Sequence, residues 1–155
     1  MERKLTNSLV GPDDLQLVEL EVGRMIDLRR EQAIHKLGKT PVLEISPALQ
    51  DLLPSKARLP EVSELEDLKQ WLIDTRTKGP VVYFALSALP GDKLTIELVE
   101  WFREQIHPQT MLVIEYNRGL AGGFALRLGG KIYDFSFRHA LLANSGAMVK
   151  AMRNV

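Results

Sequence analysis

The chain has 155 residues, enough for one domain or two small ones and for one real core. Lys+Arg and Asp+Glu each number 20, so the net charge is zero and no bulk charge drives the chain onto nucleic acid or an acidic membrane surface. There is no cysteine, which excludes a disulfide framework and thiolate metal sites and fits a reducing compartment. The opening residues 1–14 hold no apolar run long enough for a signal peptide. No stretch approaches the roughly 18–20 apolar residues of a membrane span, so a cytosolic chain with at most an indirect membrane link is expected.

The first expected helix covers residues 13–36. Pro12 suits a first turn, and Asp13 and Asp14 favour the positive end of the helix dipole. Leu15, Val18, Val22, Met25 and Ile26 recur at spacings of three and four, the mark of one buried stripe. Leu17 and Leu20 widen it, by packing or by meeting a partner helix. Gly38 is a natural C-cap. Residues 40–60 hold four prolines and read as a connector. Within it "VLEI" suits a short strand, and "SPALQDLL" a short helix with Ser46 as N-cap and Pro47 at its first position. Next, Ser63 and Glu66 suggest a capping box, and Leu65, Leu68, Trp71 and Leu72 line one helix face up to Gly79-Pro80.

"VVYFAL", residues 81–86, is expected to be a strand buried on both faces, or on one face with an edge of aromatics. Residues 92–106 read as an amphipathic helix with Leu94, Leu98, Trp101, Phe102 and Ile106 on one side. "TMLVIEY", residues 110–116, is the next strand. "GFALRL" and "KIYDF" then form a hairpin about Gly129-Gly130, because two glycines between apolar runs suit a type I′ turn with both central residues at positive φ. Gly122-Gly123 mark the place where a strand starts beside close-packed backbone. The tail 138–153 is helical and weakened at Asn144-Ser145-Gly146. The expected fold class is therefore α+β: a helical N-terminal half, then a small β-α-β-β(-β) sheet with one packed helix and a C-terminal helical tail. The composition break at residues 54–60 suggests two regions, 1–60 and 61–155.

The chemical motifs mostly fail on spacing. Gly130-Lys131 is followed by Ile132, so no P-loop hydroxyl is in register, and the glycines join strands instead of opening a helix. His35, His107 and His139 form no metal-ligand pattern. Asp134, Ser136 and His139 have triad chemistry but crowd one strand end, and no G-x-S-x-G elbow surrounds the serine. Arg127, Lys131 and Arg138 interleave with Tyr116, Phe124, Tyr133 and Phe135 as on an RNA-binding sheet. With acids as abundant as bases, those aromatics are better read as sheet core. By elimination, the chain reads as a non-enzymatic domain that binds other proteins.

The stretch "GGFALRLGGKIYDFSFRHAL", residues 122–141, resembles the C-terminal domain of the delta subunit of F-type ATP synthase, called OSCP in mitochondria. The shared features are Gly122, Gly123, Arg127, Gly129, Gly130, Lys131, Ile132, Tyr133, Asp134, Ser136 and Arg138, in that order. The strand, "ALP" turn, amphipathic helix and strand before them agree as well, so the resemblance spans residues 78–142. There are departures. Gly130 stands where the family has an acid, and Phe135 where it has a glycine. Only 77 residues precede the resemblance, too few for the family's N-terminal bundle of six helices.

The resemblance implies a mechanical role as a peripheral-stalk, or stator, subunit. Its partners would be b-type stalk helices and the alpha subunits of the catalytic head, on the cytoplasmic face of a membrane complex. It implies no catalytic residue, cofactor, metal or nucleic acid, and Gly122, Gly123, Arg127, Gly129, Gly130, Asp134, Ser136 and Arg138 would be signature and structural positions. Two alternatives stay open. One is a stand-alone interaction or regulatory domain that shares the module. The other is a small enzyme built on Asp134, Ser136 and His139.

Overall fold

A computed structural model describes residues 3–35, 45–53 and 60–153. The elements run α1 (Pro12–His35), α2 (Pro47–Leu52), α3 (Val62–Lys78), β1 (Val81–Leu86), α4 (Asp92–Gln105), β2 (Met111–Tyr116), β3 (Gly123–Leu128), β4 (Lys131–Ser136), α5 (Arg138–Ala143) and α6 (Ser145–Arg153). The α+β fold class holds: helices first, then a sheet with a packed helix, then a helical tail. Lys36, the Gly38 cap and most of the "VLEI" strand expectation lie outside the described residues.

The four strands order β2-β1-β3-β4. β1 and β2 run parallel because α4 carries the chain back between them, and β3 and β4 then add as an antiparallel hairpin. In register, Leu112, Ile114, Val82, Phe84, Leu128, Leu126 and Phe124 share one face, which α4 covers with Val99 and Phe102. Met111 and Val81 point to the other face and join the core of α1, α2 and α3. That core takes Leu15, Val18, Val22, Met25 and Ile26 from α1, Leu49 from α2, and Leu65, Leu68 and Leu72 from α3. Although the composition breaks at residues 54–60, this cluster draws side chains from both sides of that stretch.

Local chemistry accounts for most of the boundaries. Ser46 caps α2 by accepting the Leu49 N–H at 3.2 Å, with Pro47 as its first residue, as expected. α3 departs from expectation. Its capping box is Glu61 with Glu64, whose Oε2 accepts the Glu61 N–H at 2.9 Å. The helix starts at Val62, so Ser63 is already inside it and cannot cap.

Two expected faces are also corrected. Leu17 and Leu20 do not widen the buried stripe of α1, and they are 64% and 54% exposed. At 3.6 residues per turn they fall on the side opposite Val18 and Val22. On α4 the buried residues are Val99, Phe102 and Arg103, while Leu94, Trp101 and Ile106 are exposed and Leu98 is half-buried.

Arg103 explains the shift. Its Nη1 donates to the Thr6 carbonyl at 2.8 Å, its Nε to the Thr110 carbonyl at 3.2 Å, and its Nη2 to the Leu9 carbonyl. Burial pushes the guanidinium down to about 10, so it stays charged at neutral pH. The arginine thus ties the N-terminal segment to α4 and to the start of β2. The segment in turn covers the outer edge of β2, where Leu112 donates to the Val10 carbonyl at 2.8 Å. Its leucines, Leu5 and Leu9, are buried in the α1–α3 core.

Candidate interaction surface

In the β3–β4 hairpin, β3 packs with α4 and β4 lies past it at the sheet edge. Its turn is the expected one, with Gly129 at φ 54° and Gly130 at φ 82°. Nothing crowds either α-carbon, so only the backbone conformation requires glycine there. The first glycine pair differs. Gly122 and Gly123 also have positive φ, 87° and 77°. A Cβ on Gly122 would lie 2.7 Å from the Phe137 ring, and one on Gly123 would collide with the Phe135 carbonyl. Phe137 donates its N–H to the Gly122 carbonyl at 3.2 Å, closing the open end of the hairpin. The two glycine pairs therefore mark a close backbone approach at one end of the hairpin and a tight turn at the other.

The hairpin's register decides what it displays. Phe124 faces Phe135, Leu126 faces Tyr133 and Leu128 faces Lys131. Phe135 and Tyr133 thus extend the apolar face of the sheet beyond α4. A chain of rings follows, from Phe102 to Phe84 at 6.2 Å, to Phe124 at 5.2 Å and to Phe135 at 4.9 Å. It begins in the core and ends in solvent, since Phe135 is 53% exposed. Phe124 is the half-buried sheet residue expected of it. Tyr116, Tyr133 and Phe135 are instead exposed, which corrects their reading as core.

For Tyr133 and Phe135 the sheet order is the reason: one helix is about 10–12 Å across, strands lie about 4.8 Å apart, and β4 is the edge strand beyond the β3 residues that pack with α4. On the flank of α4 away from Arg103, Trp101 is exposed and meets Phe102 edge-on at 5.0 Å. Phe137, Leu141 and Leu142 at α5 and Val149 and Met152 on α6 are exposed as well.

Arg127, Asp134, Ser136 and Arg138 lie on or beside the hairpin. Arg127 lies over the Tyr83 ring at 4.0 Å on the opposite face of the sheet, a cation–π contact across neighbouring strands. Asp134 Oδ1 accepts the Ser136 N–H at 2.8 Å, which satisfies one backbone donor at the strand's end. Ser136 Oγ is buried and has no hydrogen-bond partner among the described residues. Arg138 is exposed at the start of α5.

Among the described residues no three His, Asp or Glu gather as a metal site would need. No helix among them is long and apolar enough to cross a membrane. Sequence reasoning missed Arg103 and the exposed hairpin face. The spacing of Val99, Phe102, Arg103 and Ile106 carried a trace of the first, an arginine on an apolar helical stripe.

No protein-family profile matches the chain. It is 31% identical over 91 residues to the ATP synthase subunit delta of Syntrophus aciditrophicus (strain SB). That match covers 58% of this chain, which spans about half (50%) of the relative's length. The chain is thus distantly similar to the family that residues 122–141 resemble.

Proposed function

We propose that this protein is a peripheral-stalk subunit of an F-type ATP synthase that joins the b-type stalk helices to the catalytic head. The observation that carries the reading is the ring chain ending at exposed Tyr133 and Phe135, on the hairpin that bears the family-like signature. An exposed aromatic sheet face beside a helix suits an amphipathic helix laid across it, read through apolar side chains one turn apart. Aromatic anchors of this kind dominate the energy of such contacts. The distant similarity to a delta subunit supports the reading. The protein would sit on the cytoplasmic face of the membrane complex, held there by its partners. Tagged protein expressed in its own host is expected to co-purify with alpha, beta and b-type subunits from solubilised membranes; capture of none of them would refute it.

A second reading is a stand-alone interaction domain. It is favoured by the core that α1, α2 and α3 share with Val81 and Met111 of the sheet, which builds these helices into the same unit as the hairpin. A purified chain that binds a helical ligand while the ATP synthase assembles normally without it would support this alternative.

A further inference from the structure

The charge of the chain is unevenly placed. Residues 127–155 carry Arg127, Lys131, Arg138, Lys150 and Arg153 against Asp134 alone, five positive and one negative, net +4. The whole chain is neutral, so residues 1–126 carry the balancing −4. The first half of α1 concentrates part of it: residues 12–23 hold Asp13, Asp14, Glu19 and Glu21 and no base. Each region also carries an uncovered apolar pair at helical spacing, Val149 with Met152 on α6 and Leu17 with Leu20 on α1. Beside the α1 pair lies a cleft of about 330 Å³, edged by Asp14, Glu21, Ser46 and Ser8, with Arg24 as the one cation lining it among the described residues.

From this complementarity we infer that the C-terminal arm, α5 and α6, of one copy docks on the α1 face of a second copy. Like charges argue against the alternative in which two arms meet face to face, because each would bring its own uncompensated bases. The arm and the α1 face are instead opposite in charge and alike in having an i, i+3 apolar pair. Val149 and Met152 would cover Leu17 and Leu20, and Lys150 and Arg153 would lie against Asp13 and Glu21. Asp14 accepts hydrogen bonds from the Val10 and Gly11 N–H groups and Glu21 accepts one from the Ser46 hydroxyl, which fixes both carboxylates beside the cleft. Reciprocal exchange of arms about a two-fold axis closes the assembly as a dimer and doubles a contact that is small on its own. This association uses the arm and α1, not the hairpin aromatics, so it stands or falls apart from the stalk reading.

Sedimentation velocity of the full chain over a concentration series tests it. The expected result is a reversible dimer that weakens as salt rises. Lys150→Glu with Arg153→Glu should make the protein monomeric, and adding Asp13→Lys with Glu21→Lys should restore the dimer. Met152→Asp and Leu17→Asp, both at exposed positions, should each abolish the dimer with an unchanged circular dichroism spectrum. A monomer at every concentration overturns the inference. So does a dimer indifferent to these substitutions, or a monomer that binds only an added acidic amphipathic peptide.

Discussion

Arg103→Met removes a guanidinium that serves carbonyls of Thr6, Leu9 and Thr110, while keeping most of the side chain's apolar bulk. Charge-assisted hydrogen bonds contribute about 1.5–3 kcal/mol each, and a buried carbonyl left without a donor costs about 1–3 kcal/mol. The segment 3–11 has an alternative to that cost, which is release. Burial of Leu5 and Leu9 holds it with about 1.5–3 kcal/mol per side chain. Ordering its backbone opposes with about 1–2 kcal/mol per residue. Over nine residues the ordering term outweighs the two leucines, so without the arginine the segment should detach and not stay folded over dry carbonyls.

The three charge-assisted hydrogen bonds set the scale and release of the segment offsets part of it, so the expected loss of stability is about 3–5 kcal/mol by chemical denaturation. In hydrogen exchange, the Leu112 N–H should lose its protection, because its acceptor, Val10, leaves with the segment. Leu9→Ala should cost about 2–5 kcal/mol in the parent and far less in the Met variant, since the two changes disrupt one unit. A Met variant within about 1 kcal/mol of the parent, with Leu112 still protected, would refute the clamp.

The two glycine pairs should respond differently. Gly130→Ala, with free space around it, should cost only the left-handed backbone penalty of about 1–2 kcal/mol. Gly123→Ala adds a collision with the Phe135 carbonyl and should cost at least about 1 kcal/mol more, so equal denaturation midpoints would contradict the close approach. Phe135→Ala should lower stability by about 1 kcal/mol, the worth of a surface ring pair, whereas Phe84→Ala, in the core, should cost about 3–5 kcal/mol; similar losses would mean that Phe135 serves the fold and not a surface.

Periodicity and turn chemistry made the elements legible. The helix begun at Pro12, the helix before Gly79-Pro80, the two parallel strands and the Gly129-Gly130 hairpin all follow from local pattern. The tail also breaks at Asn144, as its run of poor helix formers suggests. What stayed hidden was which apolar residues find cover. Leu20 and Trp101 carry as much hydrophobic character as Val18 and Phe102, and only the tertiary arrangement leaves them in solvent. The hairpin aromatics mislead for the same reason, since their exposure is set by how far α4 reaches. The role of Arg103 left only a trace on its helical stripe, because most of its acceptors lie in a segment more than ninety positions away, which no local window joins. Of the candidate site, the glycines and their roles were readable, and the apolar face they support was not.

Site-specific photo-crosslinking from position 135 tests the central claim most directly. A photoreactive phenylalanine analogue replaces Phe135 in protein assembled in native membranes, and the adduct is identified by mass spectrometry. The expected product joins the hairpin to a b-type stalk helix. An adduct to an unrelated protein, or none while a control position in a known stalk contact reacts, would contradict a stator role for this surface.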